Sequence, residues 1–349
     1  MHIFRDSYVE AKVRGKRSFL LEPQQLFSLA EIRSQGELLS FLADGPYGPD
    51  LAAIKEGSST EDIEKAIRQN FARTVNNLLS PARGGLRRFL IEYRRRFDAM
   101  DLATLLIYKS QGRTWDEFGT VRHPLGTTSE RELRRLYSLQ DTRLIVETVD
   151  DDAIQERIKR VIAEEITPDT AALIRDLLMG LAHQSFYRFV DEELSGRDKK
   201  SCTPLVGAPI DLLNIAVILR SKMIGIPNIE GHLVKASWKL NKKALGSLLA
   251  SEDVAQTLDK LSANKNYRRI LSGSRQKFDE SKSLSFIELI SRKHLSSMSH
   301  TVFLKFPFTL GVLLAYLVSK ENEAMNLAAI ISGVSAGLKS EQIRLLLAA

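Results

Sequence analysis

The chain has 349 residues, 44% hydrophobic and 27% charged, a composition that excludes a mostly disordered or collagen-like protein. Its single cysteine, Cys202, excludes an internal disulfide framework and any cysteine-rich zinc or iron–sulfur site, and fits a reducing compartment. The 50 Lys and Arg against 43 Asp and Glu leave a net charge of +7, enough to favour an anionic partner and too little to name one.

At about 100–200 residues per domain, this length has room for two or three domains. The opening stretch, MHIFRDSYVEAKVRGKRSF, is charged throughout and lacks an apolar leader core, so no targeting segment is expected. Leu26–Leu42 reads as an apolar helix, a break at Ser34 and a second apolar helix. Ser58-Ser-Thr-Glu61 offers a hydroxyl cap for a further helix. Over Gly85–Asp98, Leu86, Leu90, Tyr93 and Phe97 recur at helical spacing on one face. Arg88, Glu92, Arg95 and Arg96 fall on the other side, with Arg88, Glu92 and Arg96 spaced as i,i+4 pairs. Gly112–Thr128 reads as a loop, and Leu133–Val149 as a faint copy of the helix–break–helix pattern. Within it, Arg143–Val149 (RLIVETV) is the only β-like run and is equally compatible with a helix. Thr167-Pro-Asp-Thr170 opens another helix, with Pro168 at the first helical position. Gly196–Gly207 reads as a loop, and Leu245–Leu258 repeats the pattern of Leu26–Leu42 with its break at Ser251. Tyr47 and Tyr267 follow these two breaks. Phe306–Val318 (FPFTLGVLLAYLV) is the best membrane candidate, but it falls short of the roughly 20 residues a span needs and reads as a buried helix. The expected class is all-α, and the expected protein soluble or at most peripheral.

Comparison of the chain with itself supplies the organising signal. Asp98, Asp101 and Leu102 are followed by Gly112; Asp211, Asn214 and Ile215 by Gly225; Glu323, Asn326 and Leu327 by Gly337. In each copy an acid stands three residues before Asp or Asn, an apolar residue and an alanine come next, and a glycine lies 11 residues beyond. The copies are offset by 113 and 112 residues, close to a third of the chain. We therefore expect three similar helical units, at about 1–120, 121–231 and 232–349. An acid and an Asp or Asn at i,i+3 share one helical face, and Asp and Asn are weak helix formers. Their recurrence in an apolar helix points to hydrogen bonds with a neighbouring segment, and the glycine suits a left-handed helix stop.

Competing chemistry finds little support. Gly333-Val-Ser335-Ala-Gly337 matches G-x-S-x-G, yet a helical pattern precedes it and the last histidine, His300, lies upstream, so the triad order fails. Gly337-Leu-Lys339-Ser340 misses the P-loop spacing. His2, His123, His183, His232, His294 and His300 include no HExxH and no i,i+4 pair, so no metal is expected. Asp150-Asp-Asp152 and Glu192-Glu193 read as solvated helix ends. The basic stretch Arg83–Arg96 carries Phe89 and Tyr93, but these fall on or near the apolar face and no nucleic-acid-binding signature is present.

The repeat motifs resemble the C subunit of archaeal and bacterial A/V-type rotary ATPases, called the d subunit in eukaryotic vacuolar ATPases. Tyr316-Leu-Val-Ser-Lys-Glu-Asn-Glu-Ala-Met-Asn-Leu, followed by Gly337-Leu-Lys-Ser-Glu-Gln-Ile-Arg344, is similar to that family's ending. Tyr8-Val-Glu-Ala-Lys-Val-Arg14 is similar to its opening. Ala103, Ala216 and Ala328 depart from the Arg or Lys common in the family, and Asp101 stands where the other copies carry Asn. The resemblance implies three helical domains forming a funnel about a pseudo-threefold axis. It implies a non-catalytic central-stalk protein, without cofactor, on the cytoplasmic face of the membrane. There it would join the proteolipid ring to the D and F proteins of the shaft and transmit torque during proton or sodium transport. The alternatives are a helical-repeat scaffold for other proteins and a basic nucleic-acid-binding protein.

Overall fold

The computed structural model describes residues 7–55, 57–163 and 166–349, with the side chains of 7–10 and 153 left aside; His2 and the start of the opening stretch lie outside the described residues. Among the described residues the regular elements are all helical and no strand occurs, so the protein is all-α. The β-like run resolves as the short helix Thr142–Val146 followed by turns, with Asp141 accepting from the Arg143 N–H at its start.

The chain forms two compact units. The first gathers the residues up to Leu90 with Leu194–Leu205 and Arg292–Ala349; the second comprises Ile91–Glu193 and Val206–Ser291. In the first unit, helix Leu310–Ser335 packs against Thr60–Leu79, Ser7–Arg17, Pro23–Leu29 and Gln35–Ala43. The apolar run 306–318 is a buried helix only from Leu310 on: residues 306–309 form a turn with Phe308 exposed, whereas Leu310, Val312, Leu313, Leu314, Tyr316 and Leu317 are all buried on helix Leu310–Ser335. Leu38, Ile63, Ile67, Leu327 and Ile330 share one core in this unit. Ser59 caps helix Thr60–Leu79 by accepting from the Asp62 N–H at 3.1 Å.

In the second unit, helix Asp152–Ile162 packs between Thr142–Val146 and Pro168–Glu193. Helices Lys242–Leu249, Val254–Ala263 and Ser274–Ser281 pack in succession. Leu105, Leu106, Phe118, Ile158, Leu173, Ile215, Ile218 and Leu258 share one core. Thr167 and Thr170 bond reciprocally at the start of Pro168–Glu193, each hydroxyl accepting the other's N–H.

Two loop expectations are corrected. Residues 196–207 are helical throughout, the first part of helix Gly196–Met223, despite Pro204. The small residues there serve close packing rather than a turn. A side chain at Gly311 would come within 2.4 Å of Ser201, and one at Gly207 within 2.6 Å of the Trp238 ring. Burial of Cys202, Leu205, Val206 and Ala208 outweighs the missing proline N–H. Residues 112–128 likewise contain helix Trp115–Val121, started by a reciprocal Thr114–Glu117 capping box. Helix Gly196–Met223 is the one described element long and apolar enough to cross a membrane, and 83% of its most apolar window is buried in the protein, as in a core helix.

Candidate functional site

Six of the nine motif residues, the acids and their Asp or Asn partners, sit on three long helices, the three glycines lie just past the ends of those helices, and each acid holds backbone from a different stretch of chain. Asp98 and Asp101 lie on helix Gly84–Ser110. Asp98 accepts the Thr127 and Thr128 N–H groups at 2.6 and 2.7 Å and the Thr127 hydroxyl at 2.6 Å. Asp101, 2% exposed, accepts the His123 N–H at 2.7 Å. Between these contacts the backbone passes so close that a Cβ on Gly126 would stand 3.0 Å from an oxygen of each carboxylate. Arg94 closes the wrap by donating to the Leu125 and Gly126 carbonyls at 2.8 and 3.2 Å.

Asp211 and Asn214, both fully buried on helix Gly196–Met223, hold the segment 234–240. Asp211 accepts from the N–H groups of Trp238, Lys239 and Leu240 at 2.9, 2.7 and 3.0 Å, and from the Tyr267 hydroxyl. The Asn214 amide exchanges two bonds with Val234, accepting its N–H at 2.8 Å and donating to its carbonyl at 3.2 Å. On helix Leu310–Ser335, Glu323 accepts the Leu21 N–H at 2.5 Å, the Tyr47 hydroxyl at 2.6 Å and the Lys320 ammonium at 2.6 Å. Asn326 accepts the Ala348 N–H at 2.9 Å and an Arg292 N–H at 2.6 Å. Asn322 adds a bond to the Ala348 carbonyl at 2.6 Å.

The three glycines end these helices in the same way. Gly112, Gly225 and Gly337 have φ of 69°, 71° and 69°, and in each case the next N–H reaches back five residues, to Tyr108, Ser221 and Gly333. That is the Schellman arrangement, in which a left-handed residue lets the chain turn back over its last open carbonyls.

Electrostatics separate the first anchor from the others. Burial, with Asp98 adding, pushes the Asp101 carboxyl up to about 7; the His123 N–H and Arg122 oppose this only in part. Its Oδ2 has no hydrogen-bond partner, and Arg122 Nε stands 3.9 Å away. Asn214 and Asn326 occupy the equivalent positions without a charge. The phenols of Tyr267 and Tyr47 are pushed up, first by burial and then by Asp211 and Glu323.

Asp98, Asp211 and Glu323 are thus committed to donors of their own chain, the arrangement of an anchor rather than of an acid–base pair. Sequence reasoning singles out these acids but misses Gly126, Arg292, Asn322 and Lys320; the lysine that follows the apolar stretch 310–318 is the one readable sign. The G-x-S-x-G stretch forms the end of helix Leu310–Ser335, with Gly333 pressed against Ile343. Among the described residues no group of His, Cys, Asp and Glu has a metal-holding arrangement. Phe89 and Tyr93 are 0% and 1% exposed, so neither offers a ring face for base stacking.

Comparison with known proteins places these anchors in a family context. The profile of the family described as ATP synthase (C/AC39) subunit matches residues 9–346. The C subunit of the Methanocaldococcus jannaschii A-type ATP synthase is 25% identical over 348 residues, covering 98% of this chain and 86% of the relative. Its Pyrococcus furiosus counterpart is 24% identical, covering 97% and 89%, and that of Haloferax volcanii 25% identical, covering 96% and 95%.

Proposed function

Because the chain belongs to the ATP synthase (C/AC39) subunit family, we propose that it is a non-catalytic central-stalk component of an A/V-type rotary ATPase. It acts as a socket between the D and F proteins of the shaft and the membrane proteolipid ring, peripheral on the cytoplasmic side, and transmits torque for proton or sodium transport. In this reading the chain is three similar helical units, 1–120, 121–231 and 232–349, set as a funnel about a pseudo-threefold axis.

The observation that carries the proposal is the order of the anchors. The acid of the first unit, Asp98, holds Thr127 and Thr128 of the second. The acid of the second, Asp211, holds residues 238–240 of the third. The acid of the third, Glu323, holds Leu21 and Tyr47 of the first. Each unit therefore grips the next, and the last grips the first. A body that passes torque must resist shear between its parts, and charge-assisted bonds to backbone N–H groups supply that stiffness locally.

The test is a tagged pull-down from gently detergent-solubilised native membranes, with mass spectrometry of the co-purifying proteins. A proteolipid and the shaft proteins are expected, with no ATP hydrolysis by the isolated chain. Recovery of nucleic acid or unrelated soluble proteins in their place contradicts the proposal.

A further inference from the structure

One surface, where helix Ser7–Arg17 meets residues 303–308, is left unused by the anchors. Phe19, Leu304 and Phe308 are 63%, 68% and 63% exposed, among the most exposed large apolar side chains described. Cations lie on the same surface. The Arg14 guanidinium sits over the Phe308 ring at 4.3 Å, and that of Arg17 over the Phe303 ring at 4.0 Å. Lys305 and Phe19 adjoin these residues in the chain, and Arg197 donates to the Pro307 carbonyl at 3.4 Å.

The turn that carries Phe308 is built rather than loose. Phe308 has φ of 62°, a left-handed conformation that is costly for a bulky side chain and is expected of Gly or Asn. Its neighbours hold it there: the Thr309 hydroxyl donates to the Phe306 carbonyl at 2.8 Å, and the Leu310 N–H donates to Asp198 at 2.9 Å. The same bond engages Asp198, an acid beside this turn. Burial, then Lys12, Arg73 and Lys320, push the Lys16 ammonium below its ordinary range.

We propose that this basic, aromatic surface is a docking face for an anionic phospholipid membrane, with Phe19, Leu304 and Phe308 entering the headgroup–acyl boundary and Arg14, Arg17 and Lys305 meeting the phosphates. Two features favour lipid over a folded partner. The three apolar side chains are each more than 60% exposed, and groups that project into solvent suit a soft phase that needs no preformed pocket. Guanidiniums laid over aromatic rings place charge at the level where the rings leave water. This deepens the coupling proposal, on which it rests for the nearness of a membrane.

The full-length purified chain is sedimented with phosphatidylcholine vesicles and with phosphatidylcholine–phosphatidylglycerol vesicles at about three to one. Binding to the anionic vesicles alone is expected, weakened about fivefold for each cation removed in Arg14→Ala and Arg17→Ala. Phe308→Gly removes the ring and suits the left-handed backbone, so it lowers vesicle binding while leaving the melting temperature unchanged or higher. Absence of binding to anionic vesicles, or binding indifferent to these variants, overturns the proposal. So does a native complex from which the variants dissociate although wild-type chain ignores vesicles, since the face then meets protein. Recovery of the proteolipid in the native pull-down is a separate result: it keeps the coupling proposal standing even when the vesicle experiment fails.

Discussion

Tyr47 donates its hydroxyl to Glu323, 276 positions further along the chain, at 2.6 Å. The Lys320 ammonium lies within 2.9 Å of the same hydroxyl and 2.6 Å of the same carboxylate oxygen, and above the Tyr47 ring at 4.1 Å. All three side chains are at most 4% exposed, so this is a buried polar network in which every member has a partner. It closes the N-terminal segment onto the long helix near the other end of the chain.

Tyr47→Phe is expected to destabilise the protein by about 1–3 kcal/mol, because the buried Glu323 carboxylate loses a donor. Chemical unfolding measures this. A double-mutant cycle with Glu323→Gln should return a coupling of at least about 0.5 kcal/mol, whereas additivity would mean that the two residues act independently.

Asn326→Leu removes the acceptor of the Ala348 and Arg292 N–H groups. A loss of about 1–3 kcal/mol is expected from the buried donors left behind. A change within about 0.5 kcal/mol would place Asn326 among residues without structural weight.

The first anchor is expected to depend on pH. The Asp101 carboxyl is raised in the fold to about 7 from an ordinary value of 3.8, so the folded state favours its protonated form. Its contribution to stability is fully present below about pH 4 and is lost as the pH rises through about 7. Asp98, Arg122 and His123 are the charged and titratable groups it meets. Asp101→Asn should remove this dependence, leaving the variant about 1–3 kcal/mol more stable than wild type at pH 8 and equal to it near pH 4. Urea midpoints across that range report the difference, and parallel curves for the two proteins would contradict the assignment.

Gly225 lies at φ of 71° at the end of its helix. Gly225→Ala should cost about 1–2 kcal/mol through left-handed strain alone, since no atom stands within 4 Å of the added methyl. Gly246→Ala, inside helix Lys242–Leu249 and equally free of neighbours, is the control; it should be neutral or stabilising by up to about 1 kcal/mol.

Much of the fold is legible in the sequence because it is written in local chemistry. Ser59 and Thr167 mark helix starts, and Leu86, Leu90, Tyr93 and Phe97 define a face that is fully buried. Residues 196–207 mislead because Gly, Ser and Pro signal a turn locally, while Gly207 and Ser201 answer to Trp238 and Gly311, distant in sequence. The candidate site divides in the same way. Acids at fixed spacing in apolar helices are visible in one sequence, but the donors they hold are backbone N–H groups of Thr128, Leu240 and Leu21, which any residue but proline supplies. Gly126 leaves no sign for the same reason: its need for a bare Cα arises only where two carboxylates meet it.

The coupling claim is tested most directly by reconstituting the purified rotary complex into sealed vesicles with and without this protein, and following ATP hydrolysis and ion uptake together. The account predicts that omitting it abolishes ATP-driven ion uptake while the catalytic head still hydrolyses ATP, and that adding it back restores uptake. Ion uptake that proceeds undiminished in its absence would contradict the account.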